Sequence, residues 1–195
     1  MQDLFGAIDA MDKAIVNFVQ ESMQTPILAA FFNFITQSRN WVVPLVLVWI
    51  WLLIKGGKRG RVAAVLMLPL FILSDFCTAK ILKPFFNRPR PLGHGGFAFP
   101  SVHATNAFAV VTLLSIFTKQ LWIRIVLFCI ATLIAVSRVY IGVHYLTDIL
   151  AGAMLGVIDA FIVYSLYILA KPWLERKLPI VFDAEKKNEE PLPTD

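Results

Sequence analysis

Ser137, Arg138, His144 and Asp148, within Ser-Arg-Val-Tyr-Ile-Gly-Val-His-Tyr-Leu-Thr-Asp, place four polar functional groups between two long apolar runs. If Gly142 breaks the chain between two helices, Arg138 ends one and His144 begins the next. Both then reach the same side, and an anion such as a phosphate could sit between them. His144 and Asp148 are four residues apart, which on a helix puts them on one face, where the carboxylate can accept the imidazole N–H and fix its tautomer. A histidine held in that way is suited to act as a nucleophile. From this stretch alone a second reading stays open: an arginine and a carboxylate paired only to make their burial tolerable.

The elements that must hold these groups are membrane helices. The 195-residue chain is 58% hydrophobic and 16% charged, with mean hydropathy +0.71, far from the balance of a soluble domain. That length suits one all-α integral membrane bundle of about five or six spans at ~20 residues each. The net charge of +5 does not argue for nucleic acid, because the basic residues fall mostly in short segments between apolar runs, where the positive-inside bias explains them. Cys77 and Cys129 both lie inside apolar segments and read as small buried hydrophobes, with no disulfide framework and no metal-ligand spacing.

Residues 1–40 are predicted to form an N-terminal interfacial segment. Ile8, Met11, Ile15, Phe18 and Val19 recur at helical spacing, and the acidic start lacks the basic region and cleavage site of a signal peptide. Pro26 to Thr36 reads as a short interfacial or re-entrant helix. Residues 41–170 are the expected membrane domain, with five spans: Trp41 to Ile54, Val62 to Lys83 with Pro84 ending it, Ser101 to Phe117, Leu121 to Tyr140, and His144 to Ala170. Residues 171–195 read as a polar cytoplasmic tail.

Charge predicts the orientation. Lys55, Lys58, Arg59, Arg61, Lys119, Arg124 and the basic residues of the tail fall on the cytoplasmic side, and the acidic N-terminal segment falls outside. Lys83, Arg88, Arg90 and Arg138 gather on the opposite side, which normally avoids positive charge. An anionic ligand explains them better than topology does.

Three polar clusters meet on that face, each at a span end: Lys-Pro-Phe-Phe-Asn-Arg-Pro-Arg-Pro from Lys83 to Pro91, Pro-Ser-Val-His from Pro100 to His103, and the stretch from Ser137 to Asp148. Together they resemble the type 2 phosphatidic acid phosphatase family of membrane lipid phosphatases, relatives of the vanadium haloperoxidases, whose pattern is K-x6-R-P, then P-S-G-H, then S-R-x5-H-x3-D. Lys83 and Arg90-Pro91 fit the first block, and Ser137, Arg138, His144 and Asp148 fit the third. The second departs at Val102, where the family usually has glycine; a branched residue there narrows backbone freedom and could tighten the phosphate pocket.

The resemblance implies that His144 attacks phosphorus to form a phosphohistidine, that Asp148 orients it, and that His103 protonates the leaving oxygen and then activates water. Lys83, Arg90 and Arg138 supply cationic donors for phosphate, with arginine's planar fork able to hold two oxygens. Ser101, Val102 and the amides at this helix start add donors where the helix dipole favours an anion. Arg88 is a possible secondary phosphate contact, or a simple loop charge. No metal and no cofactor is expected, because the face lacks the clustered carboxylates of a magnesium or two-metal phosphatase. His94 reads as a solvated loop histidine, Lys80 as a snorkelling side chain, and the intramembrane Asp75 and Asp159 as carboxylates paired to a hydroxyl or lysine.

The expected activity is removal of a terminal phosphate from a lipid phosphate or diphosphate at the outer face of a bacterial inner membrane, facing the periplasm. Candidate substrates are undecaprenyl diphosphate, phosphatidylglycerol phosphate, phosphatidic acid and a lipid A phosphate. The alternatives are a phosphotransferase using the same phosphohistidine and a non-catalytic protein that binds or transports an anionic lipid. A binding protein needs the cations but has no use for an oriented histidine facing a second one.

Overall fold

In the computed structural model, which describes residues 2–177, every element longer than an isolated Pro89–Phe97 bridge is helical. The helix α1 (Gln2–Ser22) is the amphipathic segment expected at the N-terminus. Its periodicity has two sides: Asp12 and Val16 are buried against the bundle, whereas Phe5, Met11 and Phe18 point away. Thr25 starts α2 (Pro26–Thr36) by accepting the Leu28 N–H on Oγ1 at 3.3 Å, and Pro26 takes a first-turn place that needs no intrahelical donor. At ~1.5 Å per residue α2 is too short to cross a bilayer alone. The next helix, α3 (Ser38–Lys55), recruits Ser38 to Asn40 ahead of the expected start at Trp41.

After the basic corner at Gly56 and Gly57, α4 (Gly57–Asp75) runs into a π-helical segment (Phe76–Leu82) and the short α5 (Lys83–Phe86), one apolar stretch in all. The sequence places the end of this span at Pro84, but the helix continues two residues beyond it. The Lys83 N–H bonds back five residues to the Thr78 carbonyl, so Pro84 enters a widened turn that tolerates its ring and its missing donor. The remaining helices are α6 (Val102–Phe117), α7 (Leu121–Tyr140) and α8 (Leu146–Lys177). The last starts later and ends later than the predicted His144 to Ala170; the rest of the polar tail lies outside the described residues.

Ser38–Lys55, Gly57–Phe86, Leu121–Tyr140 and Leu146–Leu174 are long and apolar enough to span a membrane, and α6, shorter but apolar, lies between them. This is an all-α integral membrane bundle. Because successive helices alternate in direction, the loop 87–101, the loop 141–145 and the corner between α2 and α3 share one end. The junctions at 55–57 and 118–120 share the other.

The tightest pairing joins α6 to α8. In a bilayer, helix association rests on close packing, because lipid is as apolar as the helix surfaces. Gly152 and Gly156 provide that packing. A Cβ on Gly156 would stand 2.2 Å from the Thr105 carbonyl oxygen, and one on Gly152 would stand 2.6 Å from the Ser101 carbonyl oxygen. Met67 and Leu70 of α4, Ala109 and Leu113 of α6, and Ala160 and Val163 of α8 form the core beneath. Asp159 meets the Ser74 hydroxyl at 2.9 Å in this interior, the hydroxyl pairing expected for an intramembrane carboxylate.

Candidate active site

Asp148 is the third residue of α8, and its Oδ2 accepts the N–H of Tyr145, the residue before the helix, at 2.8 Å. This is the carboxylate half of a capping box, and it fixes the residue next to His144. The expected helical face shared by His144 and Asp148 is not formed as such, because α8 begins at Leu146. The loop nevertheless folds back and brings His144 Nδ1 to 3.4 Å from Asp148 Oδ2, with both side chains buried. Nδ1 has no hydrogen-bond partner of good geometry, so this is a polar contact at the outer edge of hydrogen-bond length. Gly142 makes the turn with φ +71°, and a Cβ there would meet Leu92 Cδ1 at 2.4 Å. The Val143 and His144 N–H groups both donate to the Arg138 carbonyl, at 3.1 and 3.3 Å, which ties His144 to the end of α7.

Burial pushes the His144 pKa below the ordinary 6.5; Asp148 opposes this but does not overcome it, and Lys83 and Arg138 act in the same sense as burial. The imidazole is therefore neutral, the form that can attack an electrophile.

The start of α6 faces this loop. Ser101 is fully buried, its N–H donates to the Asp148 carbonyl at 3.0 Å, and its Oγ accepts from the Ala104 N–H at 3.5 Å as the helix cap. The amides of Val102 and His103, first and second in the helix, have no intrahelical acceptor. His103 Nε2 contacts the Ser38 hydroxyl at 2.9 Å.

Lys83 Nζ and Arg90 Nε both donate to the Phe97 carbonyl, at 2.5 and 3.3 Å. Arg138 Nη1 donates to Thr36 Oγ1 at 2.6 Å, and its buried Nε has no partner. Lys83 and Arg138 lie within Coulombic reach of Arg90, and His103 within reach of all three cations and of His144. The structure thus brings Lys83, Arg90, Ser101, Val102, His103, Arg138, His144 and Asp148 to one end of the bundle. His94 stands apart, exposed on its loop.

Arg88 is turned toward carboxylates. Its Nη1 donates to Asp148 Oδ1 and its Nη2 to Asp12 Oδ2, each at 2.8 Å. Burial opposes its charge, but hydrogen bonds and Coulombic attraction from these two carboxylates together outweigh burial and raise its pKa. Sequence reasoning missed Asp12, Thr36 and Ser38 as neighbours of the site. The only signal for Asp12 was a carboxylate on the buried side of an amphipathic helix; the two hydroxyls carried none.

Comparison with known proteins identifies the family. The family model described as PAP2 superfamily matches residues 63–171. The lipid A 4'-phosphatase of Porphyromonas gingivalis is 30% identical over 176 residues, covering 80% of this chain and 74% of that protein. The crystal structure of a transmembrane PAP2-type phosphatidylglycerolphosphate phosphatase from Bacillus subtilis superposes with TM-score 0.68 at 29% identity, over 82% of this chain and 86% of that one. That of Aquifex aeolicus LpxE gives 0.65 at 27% identity, over 80% and 95%. With a family model matching more than half of its length, and with named phosphatases and transmembrane PAP2 structures among its relatives, the chain belongs to the PAP2 superfamily and is a membrane-embedded phosphatase.

Proposed function

We propose that this protein is a lipid phosphatase that removes a terminal phosphate from a lipid phosphate or diphosphate at the outer face of a bacterial inner membrane, through a phosphohistidine on His144 and without a metal ion. The observation that carries the reading is the convergence of Lys83, Arg90 and Arg138 on two histidines, one of them buried beside Asp148. Fixed cations aimed at a phosphoryl group stabilise the charge of its transition state as a metal would. Among the described residues no group of three or more His, Cys, Asp or Glu side chains is placed to hold a metal ion.

With Nδ1 turned to Asp148, His144 Nε2 is the nitrogen left to attack phosphorus. As the N–P bond forms and the bond to the leaving oxygen breaks, His103 gives that oxygen a proton. Neutral His103 then takes a proton from water, which attacks the phosphohistidine and frees His144 and inorganic phosphate. Lys83, Arg90, Arg138 and the first amides of α6 hold the phosphoryl oxygens throughout.

A lipid substrate is supported by the surroundings of His103. A cleft of about 560 Å³ descends from His103 and Ser38 between α3, α6 and α7, past Trp41, Leu45, Val110 and Ile134. Its walls, apolar except for Asn106 and Asp75, suit a hydrocarbon chain, and its polar mouth suits the phosphate end.

Phosphate release from phosphatidic acid, phosphatidylglycerol phosphate, undecaprenyl diphosphate and a lipid A phosphate, each with purified protein in detergent and with EDTA present, tests the reading. We expect at least one lipid to be hydrolysed at a rate EDTA does not change. Loss of activity in EDTA with recovery in magnesium would refute the metal-free mechanism, and no turnover of any of the four would refute these substrate classes.

A further inference from the structure

The bonds around Arg88 connect α1 to the reacting groups. Asp12 is fully buried. Its Oδ2 accepts from Arg88 Nη2 and from the Thr147 hydroxyl, and its Oδ1 accepts the Thr147 N–H at 3.1 Å. From the other side of the guanidinium, Nη1 donates to Thr147 Oγ1 at 2.7 Å and to Asp148 Oδ1 at 2.8 Å, and the group lies 4.2 Å from the centre of the Tyr145 ring. One planar fork therefore joins two buried carboxylates, the first on α1 and the second beside His144.

Pairing for burial alone would need one carboxylate for one guanidinium. Here Arg88 has two. The effect on Asp148 is specific: Oδ1 is held by Arg88 and Oδ2 by the Tyr145 N–H, so the carboxylate cannot turn about its own axis. The oxygen facing His144 stays where it is. Asp9 plays a lesser part, half-exposed, 3.4 Å from Arg88 and paired at 2.7 Å with exposed Lys13.

We infer that Asp12 and Arg88 are positioning residues which lock the Asp148 carboxylate against His144, making the N-terminal helix a working part of the active site. The inference rests on the reading of His144 as nucleophile and Asp148 as the group that orients it. If Asp12 loses its charge, only half-exposed Asp9 remains against Asp148, so the guanidinium is drawn toward Asp148 and carries that carboxylate with it. Displacement of a catalytic group by about 1 Å costs on the order of 10²-fold in rate.

The test is a double-mutant cycle read by turnover of short-chain phosphatidic acid in detergent and by single-turnover phosphate release with excess enzyme. Asp12→Asn should lower kcat by roughly 10–100-fold with KM within about twofold, whereas Asp9→Asn should stay within about twofold of the starting protein in both. In the Asp148→Asn background, Asp12→Asn should cost nothing further, because the group it positions is already gone. A structural role would multiply through instead. Unchanged kcat in Asp12→Asn, or its full loss repeated in the Asp148→Asn background, overturns the inference alone. Unchanged kcat in Asp148→Asn overturns the role of Asp148 and the inference with it. Should Asp12→Asn fail to fold, Arg88→Lys, which keeps the charge but loses the fork, runs the same cycle with the same criteria.

Discussion

A histidine can attack phosphorus only while its ring is neutral, and burial arranges that for His144. Because its pKa lies below 6.5 in the folded protein, half-protonation of the imidazole comes at a lower pH than for a free histidine. In the His103→Ala variant with p-nitrophenyl phosphate, whose leaving group scarcely needs a proton, phosphoenzyme should form but hydrolyse slowly, because water has lost its base. Rapid quench should then show a formation rate that falls with a midpoint below pH 6.5; a midpoint above 6.5, or phosphate on any residue other than His144, would refute the assignment. His144→Ala should give no phosphoenzyme at all. These groups were legible in the sequence because each cluster is contiguous in the chain and ends at an apolar run. The Ser38 hydroxyl was not, since it meets His103 from 65 residues away. Nor was Asp12, which meets Thr147 from 135 residues away, and nothing local marks such a contact.

The helices hold these groups only if α6 and α8 remain in register, since one carries His103 and the other Asp148. Gly152 and Gly156 set that register by letting α8 lie against the backbone of α6. Even one methyl group at Gly156 would collide with the Thr105 carbonyl, a backbone atom that cannot swing aside. Gly156→Ala should therefore destabilise the protein by at least about 1–3 kcal/mol and lower kcat as the two helix starts separate. Gly6→Ala is the contrasting case: nothing lies within 4 Å of a Cβ there, so the change should be neutral or stabilising by up to about 1 kcal/mol. Thermal unfolding in detergent measures both, and equal stability of the two variants would show that the close approach is not needed. Hydrophobic runs revealed the order of the helices, with α7 recovered at Leu121 and Tyr140, but of the five expected spans four are long enough to cross and α6 is shorter. Their ends were less legible. Pro84 punctuates an ordinary α-helix but not one widened by the π segment before it, and α8 passes Pro172 without stopping. Gly152 and Gly156, four residues apart in an apolar run, form the small-residue pattern of a close helix contact, but the pattern does not say which backbone lies opposite.

At the scale of the whole molecule, the distribution of charge should decide which end faces the cytoplasm. Lys55, Lys58, Arg59, Arg61, Lys119 and Arg124 lie at the end away from the site. Some also serve that end's structure: Arg61 donates to the Leu53 carbonyl at 3.1 Å, and Arg124 to the Thr118 carbonyl at 2.6 Å. Their excess favours the cytoplasm by the positive-inside bias. At the opposite end Lys83, Arg90 and Arg138 converge on the site, so their charge has a use that offsets the bias against it. On this ground the orientation we propose puts the loop 87–101 outside. Gly95 is exposed with open space around it, and Lys119 is exposed at the other end, so each accepts a cysteine without strain. With the free Cys77 and Cys129 first replaced by serine, a membrane-impermeant maleimide added to intact cells should label Gly95→Cys and leave Lys119→Cys unlabelled until the membrane is permeabilised. The reverse pattern would turn the molecule over, and the phosphate would then have to come from a lipid of the cytoplasmic leaflet.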